Sequence, residues 1–192
     1  ASASHAGGKG HGEAGAPASL VSGARISSVI RPDASGIPPG HQPGERDISY
    51  GEFGRRNTLD IWSRPDLPAD ANAPVLLQVH GGAWVIGEKE QQAMPLMAHM
   101  AERGWVCVSI NYRLSPRATW PDHIVDVKRA LAWVKENISR YGGDPNFVAI
   151  TGGSAGGHLC ALTALTQNEP EFQPGFEEAD TSVVAAVPIY GV

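Results

Sequence analysis

The chain of 192 residues is long enough to form one domain with a sizeable hydrophobic core. Its formal net charge is −5 and its basic residues form no cluster beyond Arg55-Arg56, so nucleic acid is not an expected partner. There is no run of about 18 apolar residues and no signal peptide, but the chain starts with alanine, so localisation stays unknown and an upstream membrane anchor stays open.

The first 44 residues are predicted to form a flexible lead-in. Residues 1–24 are rich in glycine, alanine and serine, and residues 31–44 are interrupted by prolines and glycines. Neither part contains the apolar residues that a core requires. We therefore expect the folded domain to occupy residues 45–192.

From Glu45 onward, strand and helix patterns alternate. Asp47–Tyr50 and Thr58–Trp62 alternate in polarity and predict an antiparallel edge hairpin. Short apolar runs predict buried strands at Val75–Val79, Trp105–Ile110, Phe147–Ile150 and Val183–Ile189. Helical spacing and helix-end signals predict helices at Met94–Arg103, Asp122–Tyr141 and Ala155–Leu165. This alternation predicts an α/β fold with a mostly parallel sheet, helices on both faces, and catalytic residues at the carboxyl ends of the strands.

Ser154 follows one of these strands in a Gly-x-Ser-x-Gly turn. The turn lies between the strand Phe147–Ile150 and the helix that starts at Ala155. A sharp strand-to-helix turn exposes a serine hydroxyl above a sheet, often with unfavourable backbone angles. Gly152 and Gly156 leave room for neighbouring backbone to pass close to the serine. The pattern predicts that Ser154 is a catalytic nucleophile.

A second glycine-rich motif, His80-Gly81-Gly82-Ala83-Trp84, follows the strand Val75–Val79. Acyl transfer builds negative charge on a carbonyl oxygen, and fixed backbone N–H groups stabilise that charge. Such a loop, together with the N–H group of the residue after the nucleophile, predicts an oxyanion hole. Its donors are expected to be Gly81, Gly82 and Ala155. On its own, the loop is equally consistent with a simple tight turn.

Four motifs in order resemble the α/β-hydrolase esterase/lipase family, nearest to its hormone-sensitive-lipase-like and acetyl-esterase branches. They are His80–Trp84, Asn111–Pro116, Tyr141–Pro145 and Gly152–His158. The resemblance implies an α/β-hydrolase fold and a serine mechanism that needs no cofactor and no metal. The chain departs from the family pattern at Ala83, where many members have a third glycine, and at Gly153, where many have aspartate. Both departures leave the expected serine mechanism unchanged but make the substrate class harder to assign.

The catalytic triad is incomplete in this sequence. In α/β-hydrolases the acid and the histidine follow the nucleophile along the chain. The one histidine after Ser154 is His158, which lies one helical turn away and is predicted to pack beneath the turn. We expect the triad Asp and His beyond residue 192. Residues 45–192 are then the amino-terminal part of the hydrolase, incomplete at the C-terminal side and inactive without the remaining part.

The predicted function is a serine carboxylic ester hydrolase that acts on a small acyl ester through an acyl-enzyme. Two alternatives keep the fold but change the bond: an arylformamidase and a prenylcysteine methylesterase. A third is a non-catalytic binding protein on the same scaffold. Trp84, Tyr112 and Trp120 are candidates for lining an acyl pocket or for simple packing, and Cys107 and Cys160 are expected to be buried thiols without a catalytic role.

Overall fold

A computed structural model describes residues 42–192, which form one six-stranded sheet flanked by helices. The strands are β1 Glu45–Ser49, β2 Thr58–Trp62, β3 Ala73–Val79, β4 Val106–Ile110, β5 Gly143–Gly153 and β6 Ala185–Ile189. The helices are α1 Met94–Glu102, α2 Asp122–Asn137 and α3 Ala155–Leu165. Short 3-10 turns occupy Gly54–Asn57, Ile138–Tyr141 and Pro170–Phe172. Residues 1–41 lie outside the described part, so the predicted lead-in stays a prediction.

The sheet is mixed, with its parallel part at the centre and on one side. The spatial order is β1-β2-β4-β3-β5-β6. Strands β4, β3, β5 and β6 pair in parallel, whereas β1 pairs with β2 and β2 with β4 in antiparallel fashion. The predicted hairpin and the mostly parallel sheet are both confirmed. β1 forms the edge of the sheet, while β2 is buried along its whole length.

Helices cover both faces of the sheet because the side chains of β3 alternate between them. Val75, Leu77 and Val79 belong to the larger core cluster, which also contains the apolar faces of α2 and α3. Leu76 points to the opposite face and packs in a second cluster with α1. This period of two places an apolar layer on each side of the strand, as a parallel sheet requires.

The predicted element bounds differ from the structure mainly at glycines. α2 ends at Asn137, and the chain continues as a 3-10 turn to Tyr141 because Gly142 adopts a left-handed conformation with φ 79°. β5 begins at Gly143, earlier than predicted, because Gly143 already pairs with Ala73 of β3. α3 spans the predicted residues.

Both cysteines are buried free thiols, as predicted. Burial raises the pKa of the Cys107 thiol to about 12 and that of Cys160 to about 11. Neither thiol is therefore ionised near neutral pH. In residues 42–192 there is also no helix both long enough and apolar enough to cross a bilayer.

β6 leaves an apolar edge uncovered in the described part of the chain. Its outer side has no partner strand there, and the side chains of Val187 and Ile189 are 53% and 41% exposed. Val184, Tyr190 and Val192 beside it are exposed as well. An open edge with large apolar side chains is a surface that proteins normally cover.

Lys128 of α2 is buried, and its side chain has no acidic partner among residues 42–192. Its side chain is fully enclosed, and its ammonium group donates to the Thr166 carbonyl at the end of α3 and to Gln173 Oε1 at 3.4 Å. No carboxylate within residues 42–192 forms an ion pair with it. Burial lowers the pKa of Lys128 to about 8, although Glu169 opposes the shift. The helix-end carbonyl therefore compensates the cation only in part.

We expect Lys128→Met to change how stability depends on pH. The native pKa lies below the ordinary value, so between the two values the unfolded chain binds more protons and wild-type stability rises with pH. The variant lacks this contribution. Thermal unfolding at about pH 7 and about pH 9.5 should show wild type gaining on the variant at the higher pH. An equal difference at both values would contradict the shifted lysine.

Candidate active site

Ser154 lies at the carboxyl end of β5, in a strained turn that leads directly into α3. Its backbone has φ 55° and ψ −122°, a region that a residue with a side chain rarely adopts. The turn is held on both sides, because the Ser154 N–H donates to the Ile189 carbonyl at 3.0 Å and its carbonyl accepts from His158 N at 2.9 Å. The side chain is half-buried, and its hydroxyl has no hydrogen-bond partner within residues 42–192.

Two glycines let β3 and α3 approach each other around this turn. A Cβ atom on Gly156 would lie 2.2 Å from the Val79 carbonyl oxygen and 2.6 Å from that of His80. A Cβ atom on Gly152 would lie 2.7 Å from the same Val79 oxygen. Backbone atoms cannot yield at such distances, so both positions require glycine. The end of β3 is thereby brought against the start of α3.

This approach places the loop after β3 beside the serine. A Cβ atom built on Gly81 would lie 3.4 Å from Ser154 Cβ and 2.6 Å from the Gly153 carbonyl oxygen. Gly82, Ala83 and Trp84 then take left-handed φ values of 124°, 51° and 60°. The structure therefore brings together the four residues predicted for the site.

The backbone donors around Ser154 differ in whether they have an acceptor. The turn is closed by Val85 N and Ile86 N, which both donate to the Gly82 carbonyl at 3.0 Å. In the described part of the chain, no acceptor faces the N–H groups of Gly82, Ala83 or Ala155. Ala155 lies in the first turn of α3, where N–H groups lack helical partners and carry partial positive charge. These N–H groups are available to an anionic oxygen.

Gly81 differs from the other expected donors. Its N–H donates to Oε1 of Gln92 at 2.8 Å, a partner that the sequence analysis did not identify. Gln92 lies in a polar run before α1, and no motif distinguishes it from its neighbours. Gly81 therefore becomes an oxyanion donor only if the Gln92 carboxamide is displaced.

His80 fixes the start of the loop and is not a base. Its ring is buried and stacks on Tyr112 with centroids 4.3 Å apart, and its Nδ1 lies 2.8 Å from the Gly81 carbonyl. Burial lowers the pKa of His80 to about 4, so the ring is neutral near pH 7 and donates from Nδ1. The Tyr112 hydroxyl donates to the His80 carbonyl at 2.9 Å. Tyr112 is thus packing beneath the loop and does not line a pocket.

A cavity of about 360 Å³ opens between the loop and α3. Two tryptophans, two histidines and three smaller residues form its wall: Ala83, Trp84, Ser115, Trp120, His123, His158 and Leu159. Ser154 itself is not part of this wall, which includes His158 one helical turn further along α3. Trp84 and Trp120 line the cavity, and its use as an acyl pocket stays a prediction.

Neither histidine of this cavity serves Ser154 as a base. His158 packs edge-on against Trp84 with centroids 5.3 Å apart, and His123 Nε2 lies 3.3 Å from Ser115 Oγ. No hydrogen bond joins either ring to the Ser154 hydroxyl within residues 42–192. The packing role predicted for His158 agrees with this geometry.

Arg113 holds the segment that supplies Ser115 to the cavity. Its guanidinium contacts the buried Asp126 carboxylate at 2.8–3.0 Å and Asp122 Oδ1 at 2.9 Å, both on α2. Its N–H group also donates to Asp126 at 2.8 Å. This multidentate pairing fixes the segment after β4 against the start of α2.

Comparison with known proteins agrees with this geometry. A family model described as BD-FAE matches residues 59–192. The protein named "Probable carboxylic ester hydrolase LipM" of Mycobacterium tuberculosis is 73% identical over 146 residues, covering 76% of this chain and 34% of that protein. A "Probable isoprenylcysteine alpha-carbonyl methylesterase" of Oryza sativa subsp. japonica is 39% identical over 147 residues, covering 76% and 33%. The chain thus spans about a third of the length of these curated relatives.

Among solved structures, Thermogutta terrifontis esterase 2 phosphonylated by cyclosarin matches with a TM-score of 0.70 and 26% identity. The match covers 81% of this chain and 58% of that one. These similarities confirm the predicted resemblance to α/β-hydrolase esterases and the predicted fold.

We expect Gly156→Ala to destabilise the protein strongly and Gly153→Ala to be tolerated. The new Cβ of the first variant meets backbone at 2.2 Å, which forces β3 and α3 apart and costs about 1–3 kcal/mol or more. The Cβ of the second meets the Tyr190 hydroxyl at 3.0 Å, and that ring is 76% exposed and able to move away. Denaturant unfolding of both variants measures the difference. Equal stability would show that β3 and α3 do not approach this closely.

Proposed function

Because this chain belongs to the BD-FAE family, we propose that it is the nucleophile-bearing part of a serine carboxylic ester hydrolase. The observation that carries the proposal is the geometry of Ser154. Within residues 42–192 its hydroxyl has no hydrogen-bond partner. It lies in a strained turn next to a loop and a helix start, where the N–H groups of Gly82 and Ala155 have no acceptor among the same residues. This is the arrangement that an acyl-enzyme mechanism needs.

In the proposed mechanism, the Ser154 oxygen attacks the carbonyl carbon of a small acyl ester while a histidine base takes its proton. The carbonyl oxygen becomes an oxyanion and accepts hydrogen bonds from the N–H groups of Gly82 and Ala155. The tetrahedral intermediate collapses, the alcohol leaves with the proton from the histidine, and the acyl group stays on Ser154. Water, deprotonated by the same histidine, then attacks the acyl-enzyme, releases the acid and restores the serine.

The histidine and its orienting acid are proposed to follow residue 192. Two observations support this. The Ser154 hydroxyl has no histidine partner within residues 42–192, and the chain spans about a third of the length of its curated relatives. The exposed apolar edge at β6 offers the place where the remaining part of the hydrolase domain packs, since further strands extend a parallel sheet from such an edge.

The alternatives differ in the bond that is broken. A formamide and a prenylcysteine methyl ester present the same carbonyl to Ser154, and a rice protein named as a probable methylesterase is a relative with the same fold. A binding protein without catalysis keeps the fold but has no use for a reactive serine. A panel of p-nitrophenyl esters, an N-formyl arylamine and a prenylcysteine methyl ester separates these functions by their kcat/KM values.

We expect the complete protein to hydrolyse short p-nitrophenyl acyl esters and Ser154→Ala to abolish this activity, because the variant lacks the hydroxyl proposed to attack the ester. A fluorophosphonate should label the intact protein at Ser154, as peptide mapping by mass spectrometry would show. Ser139→Ala, at an exposed serine in the turn after α2, is the control and should keep full activity. Activity retained without the Ser154 hydroxyl would refute the assignment.

The 192-residue chain by itself is expected to hydrolyse esters no faster than the same chain with Ser154→Ala. The reason is chemical: without a base, the serine hydroxyl stays protonated and weakly nucleophilic. Comparison of the isolated chain with the complete protein at equal concentration tests this expectation. Full turnover by the isolated chain would show that its base lies among the residues present.

A further inference from the structure

Lys89, seven residues after Gly82, is a second buried lysine. Unlike Lys128, it has carboxylates around its ammonium group. It is 2% exposed, and its ammonium group lies 2.9 Å from Asp60 Oδ1, 2.9 Å from Asp47 Oδ1 and 3.2 Å from Glu90 Oε1. Burial opposes its charge, but the hydrogen bonds to Asp47 and Asp60 outweigh this and raise its pKa. Lys89 is therefore a cation near neutral pH.

These contacts tie the far end of the oxyanion loop (residues 80–87) to the antiparallel side of the sheet. Asp47 lies on β1 and Asp60 on β2. The Lys89 N–H also donates to Asn111 Oδ1 at 2.7 Å, just after β4, and Arg56 Nη1 donates to the Gly87 carbonyl at 3.0 Å. The hairpin that contributes nothing to the serine turn thus holds the loop that faces it.

The oxyanion loop needs an anchor at this end because its backbone is strained and Val85 and Ile86 are exposed. Ala83 and Trp84 both hold left-handed backbone angles, at a cost of about 1–3 kcal/mol each. Val85 and Ile86 are 51% and 68% exposed, and the loop borders an open cavity of about 390 Å³. Strained backbone persists only when its surroundings hold it. Trp84 packs against the core and its carbonyl accepts from Ser115 N–H at 2.8 Å, whereas the polar contacts of residues 87–89 hold the exposed end of the loop.

Stability alone does not account for a buried ion pair at this place. Replacing a buried pair by apolar residues of similar volume is often neutral or stabilising, because desolvation offsets the Coulombic attraction. What an ion pair supplies and apolar packing does not is a fixed direction and distance. Lys89 joins the end of the oxyanion loop to the β1–β2 hairpin. These two elements must keep one relative position for the loop to face Ser154.

We infer that Lys89 is a positioning residue for catalysis, which holds the oxyanion loop so that the N–H group of Gly82 faces Ser154. It touches no reacting atom and acts through the loop. The inference rests on the proposed function, since it gives the loop its role in stabilising the oxyanion. Without the anchor, the loop relaxes and its N–H group moves away from the oxyanion. This donor binds the transition state more strongly than the bound substrate, so its loss lowers kcat.

The test replaces the pair by apolar residues in the complete protein, as Lys89→Met with Asp60→Val. The fold is expected to survive, with a melting temperature within a few degrees of wild type. The turnover per active site, counted by fluorophosphonate labelling to completion, should fall about 10-fold or more while KM changes less than about 2-fold. Lys128→Met is the matched control, because it removes another buried lysine away from the loop and should leave kcat unchanged.

A second variant keeps the inference falsifiable if the double variant does not fold. Asp47 is 64% exposed, so Asp47→Asn weakens the anchor without leaving a buried charge, and kcat should fall about 3-fold at constant KM. Unchanged kcat per labelled site in either folded variant would overturn the positioning role and leave the proposed function intact. A wild-type protein that neither hydrolyses esters nor reacts with the fluorophosphonate would overturn the proposed function, and the inference with it.

Discussion

The contact between the end of β3 and the first turn of α3 determines the geometry of the whole candidate site. The Val79 carbonyl approaches the backbone at Gly152 and Gly156 so closely that no side chain fits at either position. Because β3 continues into the oxyanion loop and α3 begins at Ala155, this one contact sets the distance between two separate sources of N–H donors. The intervening serine has a positive φ of 55°. Backbone packing therefore sets the position of the candidate nucleophile relative to these donors.

The two buried lysines show two ways in which the fold accommodates a cation. Lys89 has three carboxylates around its ammonium group, and these bind together segments distant in the chain. Lys128 donates to the Thr166 carbonyl at the end of α3 and to the Gln173 carboxamide oxygen, and burial lowers its pKa. The first arrangement fixes direction between elements, whereas the second neutralises part of a helix dipole within one layer. A buried charge is thus not evidence of one role, and its partners decide which role it has.

The sequence predicted those parts of the structure that depend on neighbours along the chain. The strand-turn-helix around Ser154 and the bounds of α3 follow from local apolar runs and glycines, and the structure agrees with them. The hydrogen bond from Gly81 to Gln92 and the ion pairs of Lys89 were not predicted. Lys89 and Gln92 lie in an ordinary polar run, and their partners depend on how the loop folds back in space. The direction of the Gly81 N–H likewise depends on backbone angles that cannot be predicted for glycine, because glycine adopts many of them.

The strained backbone angles of Ser154 oppose two properties of the chain, its thermal stability and the presence of the serine hydroxyl. Glycine occupies such a conformation at no steric cost, so Ser154→Gly would relieve the backbone and give a protein that melts at a higher temperature. That same exchange deletes the hydroxyl. Selection for thermal stability alone would therefore favour loss of the proposed nucleophile, so a screen for more stable variants of this chain has to measure ester hydrolysis alongside melting temperature.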